Sequence, residues 1–116
     1  MMNGMQNEFF TYVIEDVLRD ISGITSRAMF GGYGIYRDGI IFALIAFNQL
    51  YFKVGKINRA DYVAMGSEPF IYEFKNHKKT TMPYWLVPDE IMQDKEKVEE
   101  WVNKSVEVSR TSKKKK

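Results

Sequence analysis

Apolar residues recur at Phe10, Val13, Ile14, Val17, Leu18 and Ile21. This is the i, i+3, i+4, i+7, i+8 spacing of one helical face, and it predicts a helix over about 6–20. Gly23 interrupts the pattern, and residues 22–26 read as a connector. Three β-like runs follow at 29–36, 40–47 and 50–54, separated by Asp38-Gly39 and Asn48-Gln49. Asp-Gly suits a type I′ hairpin turn, whose two central residues both need positive φ, and Asn-Gln is a weaker version of it. Residues 55–66 turn helical, with Asn58 and Asp61 spaced like a capping pair and Gly66 as a stop. After Pro69, the alternation of Phe70, Tyr72 and Phe74 with Ile71 and Glu73 predicts a half-buried strand. Asn76-His77 turns the chain into a second run over 80–87. Pro83 makes that run an edge strand or a bulged one, because proline donates no ladder hydrogen bond. From Pro88-Asp89-Glu90 a last helix begins, with Val98, Trp101, Val102 and Ser105 as its inward stripe and an end near Arg110. The predicted architecture is α+β, two-layer α-β(3)-α-β(2)-α with an antiparallel sheet.

The run Ile40-Ile41-Phe42-Ala43-Leu44-Ile45-Ala46-Phe47 is apolar at both parities, so this strand should be covered on both faces. Three helices cannot supply all of that cover, and a second copy of the chain, as a homodimer, is expected to provide part of it. No repeat or composition break divides the 116 residues. One domain over 1–112, followed by a flexible lysine tail over 113–116, fits a chain of this length.

Charge changes the picture only at that tail. Four of the 17 basic residues are Lys113 to Lys116, and without them 13 basic residues face 15 acidic ones, a net of −2. Phosphate affinity would therefore come mainly from the tail. Cysteine is absent, which removes disulfides, thiolate chemistry and sulfur-built metal sites and fits a reducing, cytoplasmic setting. The N-terminal residues lack the basic start and apolar run of a secretory signal. The longest apolar stretch is far short of the roughly 20 residues that span a bilayer.

Candidate chemistry is sparse. His77, the sole histidine, sits in a polar turn, whereas a general base needs a pocket and an orienting partner. The carboxylate pairs Glu15-Asp16, Asp89-Glu90 and Glu99-Glu100 are adjacent in sequence and diverge on a helix. Gly31-Gly32-Tyr33-Gly34 matches neither phosphate-binding glycine spacing and leads into a strand. These glycines instead suit a bulge, strong curvature or close backbone approach. Gly32-Tyr33-Gly34-Ile35-Tyr36 echoes the aromatic motif of RNA-recognition sheets, but that fold opens with a strand, not a helix. No catalytic residue, cofactor or metal ligand is assigned.

The string Arg27-Ala28-Met29-Phe30-Gly31-Gly32-Tyr33-Gly34-Ile35-Tyr36, followed by Asp38-Gly39, Leu50-Tyr51-Phe52-Lys53-Val54, Pro69-Phe70, Met82-Pro83-Tyr84-Trp85 and Val87-Pro88, resembles the N-terminal domain of the TfoX (Sxy) competence regulators over about 9–110. The resemblance implies the same α-β(3)-α-β(2)-α order and a non-enzymatic role in regulating competence genes beside transcription factors. Full-length relatives carry a second, C-terminal domain that this chain is expected to lack. Arg27, Met29, Phe30, Gly31, Gly32, Tyr33 and Gly34 match the family's signature. In one reading Arg27 braces the meander through hydrogen bonds while Met29 and Phe30 fill core. In the other, Arg27 and Lys53 flank an exposed aromatic groove that accepts a protein partner. Three functions follow: a protein-binding regulatory module, with the transcription machinery as a candidate partner; a nucleic-acid binder using the basic tail and aromatic strands; and a small-molecule pocket or an unrecognised enzyme between helix and sheet.

Overall fold

The computed structural model describes residues 4–29 and 31–114. Helix α1 (Gly4–Tyr12) passes into a π-helical turn, Val13–Val17, in which the Leu18 N–H donates to the Val13 carbonyl at 2.9 Å. The predicted apolar stripe is buried at Val13, Val17, Leu18 and Ile21, but the α-helical form ends at Tyr12. An i→i+5 turn sets Val13 and Leu18 one turn apart, so both reach the sheet.

Six strands form one antiparallel sheet in the order β1-β2-β3-β4-β6-β5. They are β1 (Ile24–Met29), β2 (Gly32–Arg37), β3 (Ile40–Ala46), β4 (Gln49–Lys53), β5 (Pro69–Glu73) and β6 (Lys79–Leu86). The two-layer antiparallel α+β fold is thus present with one strand more than the expected five. Strand β1 occupies the stretch read as a connector. No residue of it is buried, so no apolar alternation announces it. Backbone pairing with β2, from Ile24↔Arg37 to Met29↔Gly32, defines it instead.

Two hairpins have left-handed two-residue turns. Asp38 (φ 51) and Gly39 (φ 83) behave as their sequence predicts, whereas the next turn is Phe47-Asn48 (φ 53 and 59), one residue earlier than Asn48-Gln49. In β3, Ile35 pairs with Ala43 and Tyr36 with Ile41, leaving Phe42 as a bulge. The extra residue lets Phe42 and Ala43 both join the main core while Ile41 faces the other way. The Ile41 carbonyl beside the bulge accepts a 2.6 Å hydrogen bond from Ser109 Oγ.

Helix α2 (Arg59–Ala64) is not capped by the Asn58 side chain. Asn58 is buried and holds the preceding loop: its Oδ1 accepts from the Gly55 N–H at 2.8 Å and its Nδ2 donates to the Lys53 carbonyl at 3.0 Å. Asp61 instead receives Lys104 Nζ at 3.0 Å, joining α2 to the last helix. Strand β6 is interior, so of the two expectations for Pro83 the edge fails and the bulge holds, β6 running from Trp85 to Thr81 while β5 runs only from Pro69 to Ile71. The β5–β6 register is irregular between Pro69 and Ile71, and the Pro83 carbonyl accepts from the Val54 N–H at 3.0 Å. A short α3 (Asp89–Met92) precedes α4 (Lys95–Lys114), which runs past Arg110 through the first two tail lysines. Lys115 and Lys116 lie outside the described residues. At the start of α4, Asp94 Oδ1 accepts from the Lys97 N–H, satisfying a donor that a helix start leaves open.

The helices gather on one side of the sheet. Val13, Val17, Tyr62, Ile91, Val98, Trp101 and Val102 share a single buried cluster with Ile35, Ala43, Ile45, Leu50 and Phe52. Among the described residues no helix is long and apolar enough to cross a membrane.

Candidate functional site

Residues that alternate with that inner set form a second cluster. Leu44, Tyr51 and Tyr84 are buried, packed by Met29, Ile41, Ala46, Phe70, Met82 and Leu86, and every one of these belongs to a strand. Leu44 lies between Ala43 and Ile45, and Tyr51 between Leu50 and Phe52, so strand alternation puts this cluster on the opposite face of the sheet. That face is covered by no described helix. It is sheltered by the sheet's own curl: Met29 on one edge strand and Phe70 and Tyr72 on the other line a common cleft of about 140 Å³.

The cleft wall is apolar, with Leu44, Ala46, Phe47 and Met82 between those edges and Phe74 just past β5. Tyr51 and Phe70 lie 4.8 Å apart between ring centroids, Phe47 and Phe70 6.4 Å, and Tyr72 and Phe74 4.8 Å edge to face. No carboxylate lines it. At its side, Lys53 Nζ sits 5.2 Å from the centre of the Tyr84 ring, a cation–π geometry. Burial lowers the Lys53 pKa. It pushes the Tyr84 phenol up to about 12, with Tyr36 adding to the shift. This surface disfavours new charge and offers shape and apolar contact.

The signature residues divide between this face and the architecture beneath it. Arg27 is opposite Gly34 on the open face and exposed, and among the described residues its side chain makes no hydrogen bond or ion pair. The bracing expected of it is therefore not seen. Met29 is half-buried on the same face, and a Cβ on Gly34 would come within 2.8 Å of its Cε. Glycine there leaves the room Met29 occupies. A Cβ on Gly32 would lie 1.9 Å from the Ile45 carbonyl oxygen, so only glycine permits this close backbone approach. Gly31 turns the chain with φ 76. Tyr33 stacks on Phe10 of α1 at 4.1 Å and reaches the end of the cleft. Phe30 lies outside the described residues. Lys53 and Arg27 share the face but stand on β4 and β1, three strand spacings or roughly 14 Å apart, so they do not act as one pair.

Phe47, Phe70, Phe74 and Met82 were not among the sequence candidates. The alternation at Phe70, Tyr72 and Phe74 was the available signal, and it reads equally well as buried core. His77 is exposed in its turn, with Nδ1 3.2 Å from Glu73 Oε2. The described residues hold no cluster of three metal-ligating side chains.

Fold and face together define a small two-layer α+β domain that presents a curled, apolar sheet surface. The TfoX N-terminal domain family matches residues 16–109, and the chain belongs to that family. It is similar to DNA transformation protein TfoX1 of Aliivibrio fischeri (strain ATCC 700601 / ES114), with 30% identity over 81 residues, which are 70% of this chain and 34% of that protein. The chain thus spans about a third of that relative's length.

Proposed function

We propose that this chain is a non-enzymatic, protein-binding regulatory module of the TfoX type, acting in the cytoplasm on the control of competence genes. The observation that carries this reading is the helix-free sheet face, whose cleft is lined by apolar and aromatic side chains from both edges of the sheet. A contiguous apolar surface of this kind is a mark of a protein contact. The relative's printed role in DNA transformation supports the regulatory part. Its protein partner, with the transcription machinery as a candidate, would meet the open face, and contact with nucleic acid would be indirect.

The test is a salt-dependent DNA titration of the full chain beside a version ending at Ser112. Weak binding that falls steeply with salt and disappears with the lysines is the expected result. Tight, sequence-selective binding that survives in the shortened chain would overturn the proposal and make the domain a direct DNA reader.

A further inference from the structure

We infer that the first partner of the open face is a second copy of this chain, and that each copy inserts Phe47 into the other's cleft about a two-fold axis. This rests on the reading of that face as a protein-binding surface and specifies its occupant. Phe47 occupies the tip of the β3–β4 hairpin and is 80% exposed, more than any other large apolar residue described. Its φ of 53 is a left-handed conformation that Asn, Asp and Gly adopt readily and a bulky side chain does not. The turn therefore holds an aromatic ring out in water at a position where glycine or asparagine would sit more easily.

Beside this knob lies a hole that it leaves unfilled. The cleft measures about 140 Å³, close to the roughly 150 Å³ of an apolar cavity that takes up benzene. That is room for one phenyl ring and too little for a cofactor or a peptide segment. Phe47 borders the cleft, with its ring 6.4 Å from Phe70, yet its exposure shows that it does not enter. Knob and hole next to each other on one face are self-complementary: a two-fold rotation fills both holes at once and closes the assembly at two copies. Phe74, also exposed and on the rim, would be covered in the same step. So would Ala46 on β3, whereas Leu44 is already buried within the single chain.

The open face is five strand spacings wide, roughly 24 Å. Each copy contributes a single inserted ring across this face, so the dimer should dissociate on dilution. Sedimentation velocity of the full chain from low to high micromolar concentration tests this, with Phe47→Gly in parallel. The wild type is expected to pass from monomer to dimer. Phe47→Gly, which suits the turn better and should melt no lower than the wild-type monomer, is expected to lose at least tenfold in dimer affinity. A wild type that stays monomeric throughout overturns the inference, and so does a Phe47→Gly chain that dimerises as tightly as wild type. Neither result bears on the DNA titration, so failure here remains separate from failure of the module reading.

Discussion

The two faces of the sheet are built from the same strands, residue by alternate residue, and end in opposite circumstances. On the inner face Phe42 and Phe52 meet edge to face at 5.6 Å, and Tyr62 packs against Trp101 at 4.4 Å and Trp85 at 6.2 Å beneath the helices. Ser105 and Ser109, one turn apart on α4, donate to the carbonyls of Lys53 and Ile41 and fix that helix on the sheet. On the outer face Leu44, Tyr51 and Tyr84 are nearly as well buried, with only neighbouring strands to cover them. Burial alone does not separate a finished core from a surface kept for a partner. The difference lies in what supplies the cover: a second layer on one side, curvature on the other.

If the inner face carries the stability, Phe52→Ala should cost about 3–5 kcal/mol, read from urea unfolding at unchanged m-value. Phe70→Ala on the open face, half-buried against Tyr51, should cost less than half as much. Equal losses would break the comparison. A second measurement asks how dry the open face is. Tyr84 ionises near 12 in the fold against an ordinary 10.0, so the fold favours the neutral phenol. Its contribution to stability is complete below pH 10 and is lost as pH rises through 12. Absorbance titration should show late tyrosinate formation, and Tyr84→Phe should flatten the alkaline decline; an ordinary titration midpoint for Tyr84 would mean that water enters the face. The smallest effect belongs to the inner layer. The buried Tyr62 hydroxyl has no partner within hydrogen-bonding geometry among the described residues. Burial pushes its pKa well up and outweighs the downward pull of the nearby Ser105 hydroxyl, which donates to the Lys53 carbonyl. Tyr62→Phe removes an unsatisfied group and should leave stability within about 1 kcal/mol of wild type, or raise it. A larger loss would reveal a hydrogen bond within the inner layer.

Much of the fold was legible because apolar periodicity reports burial. The stripe from Phe10 to Ile21, the stripe on α4 and the alternation along β5 carried that signal, while the Asp38-Gly39 turn was legible from its positive-φ chemistry. Strand β1 did not, since an edge strand with no buried side chain leaves only backbone pairing to define it. Asn58 misled in a different way. An asparagine before a helix is a good cap by type, but here a loop carbonyl and the Gly55 N–H compete for the same amide. Of the site, the glycine-rich string was visible at once, yet Gly32 and Gly34 serve close packing. Of the residues that line the cleft, Met29 and Tyr33 belong to that string, whereas Phe70, Tyr72 and Phe74 alternate as any half-buried strand does.

The sequence by itself determined the class of the domain, most of its helical segments and strands and its family, because each of these follows from local periodicity, turn chemistry or a contiguous motif. The break between α3 and α4 in what reads as one last helix was not legible. Only the tertiary structure decided that Met29 and Phe70 share one cleft, that Phe47 stands exposed beside it, and that one face of the sheet has no helix over it. Those facts depend on how far the sheet curls and where the helices pack. Both are sums over contacts between residues distant along the chain, and no local pattern contains them.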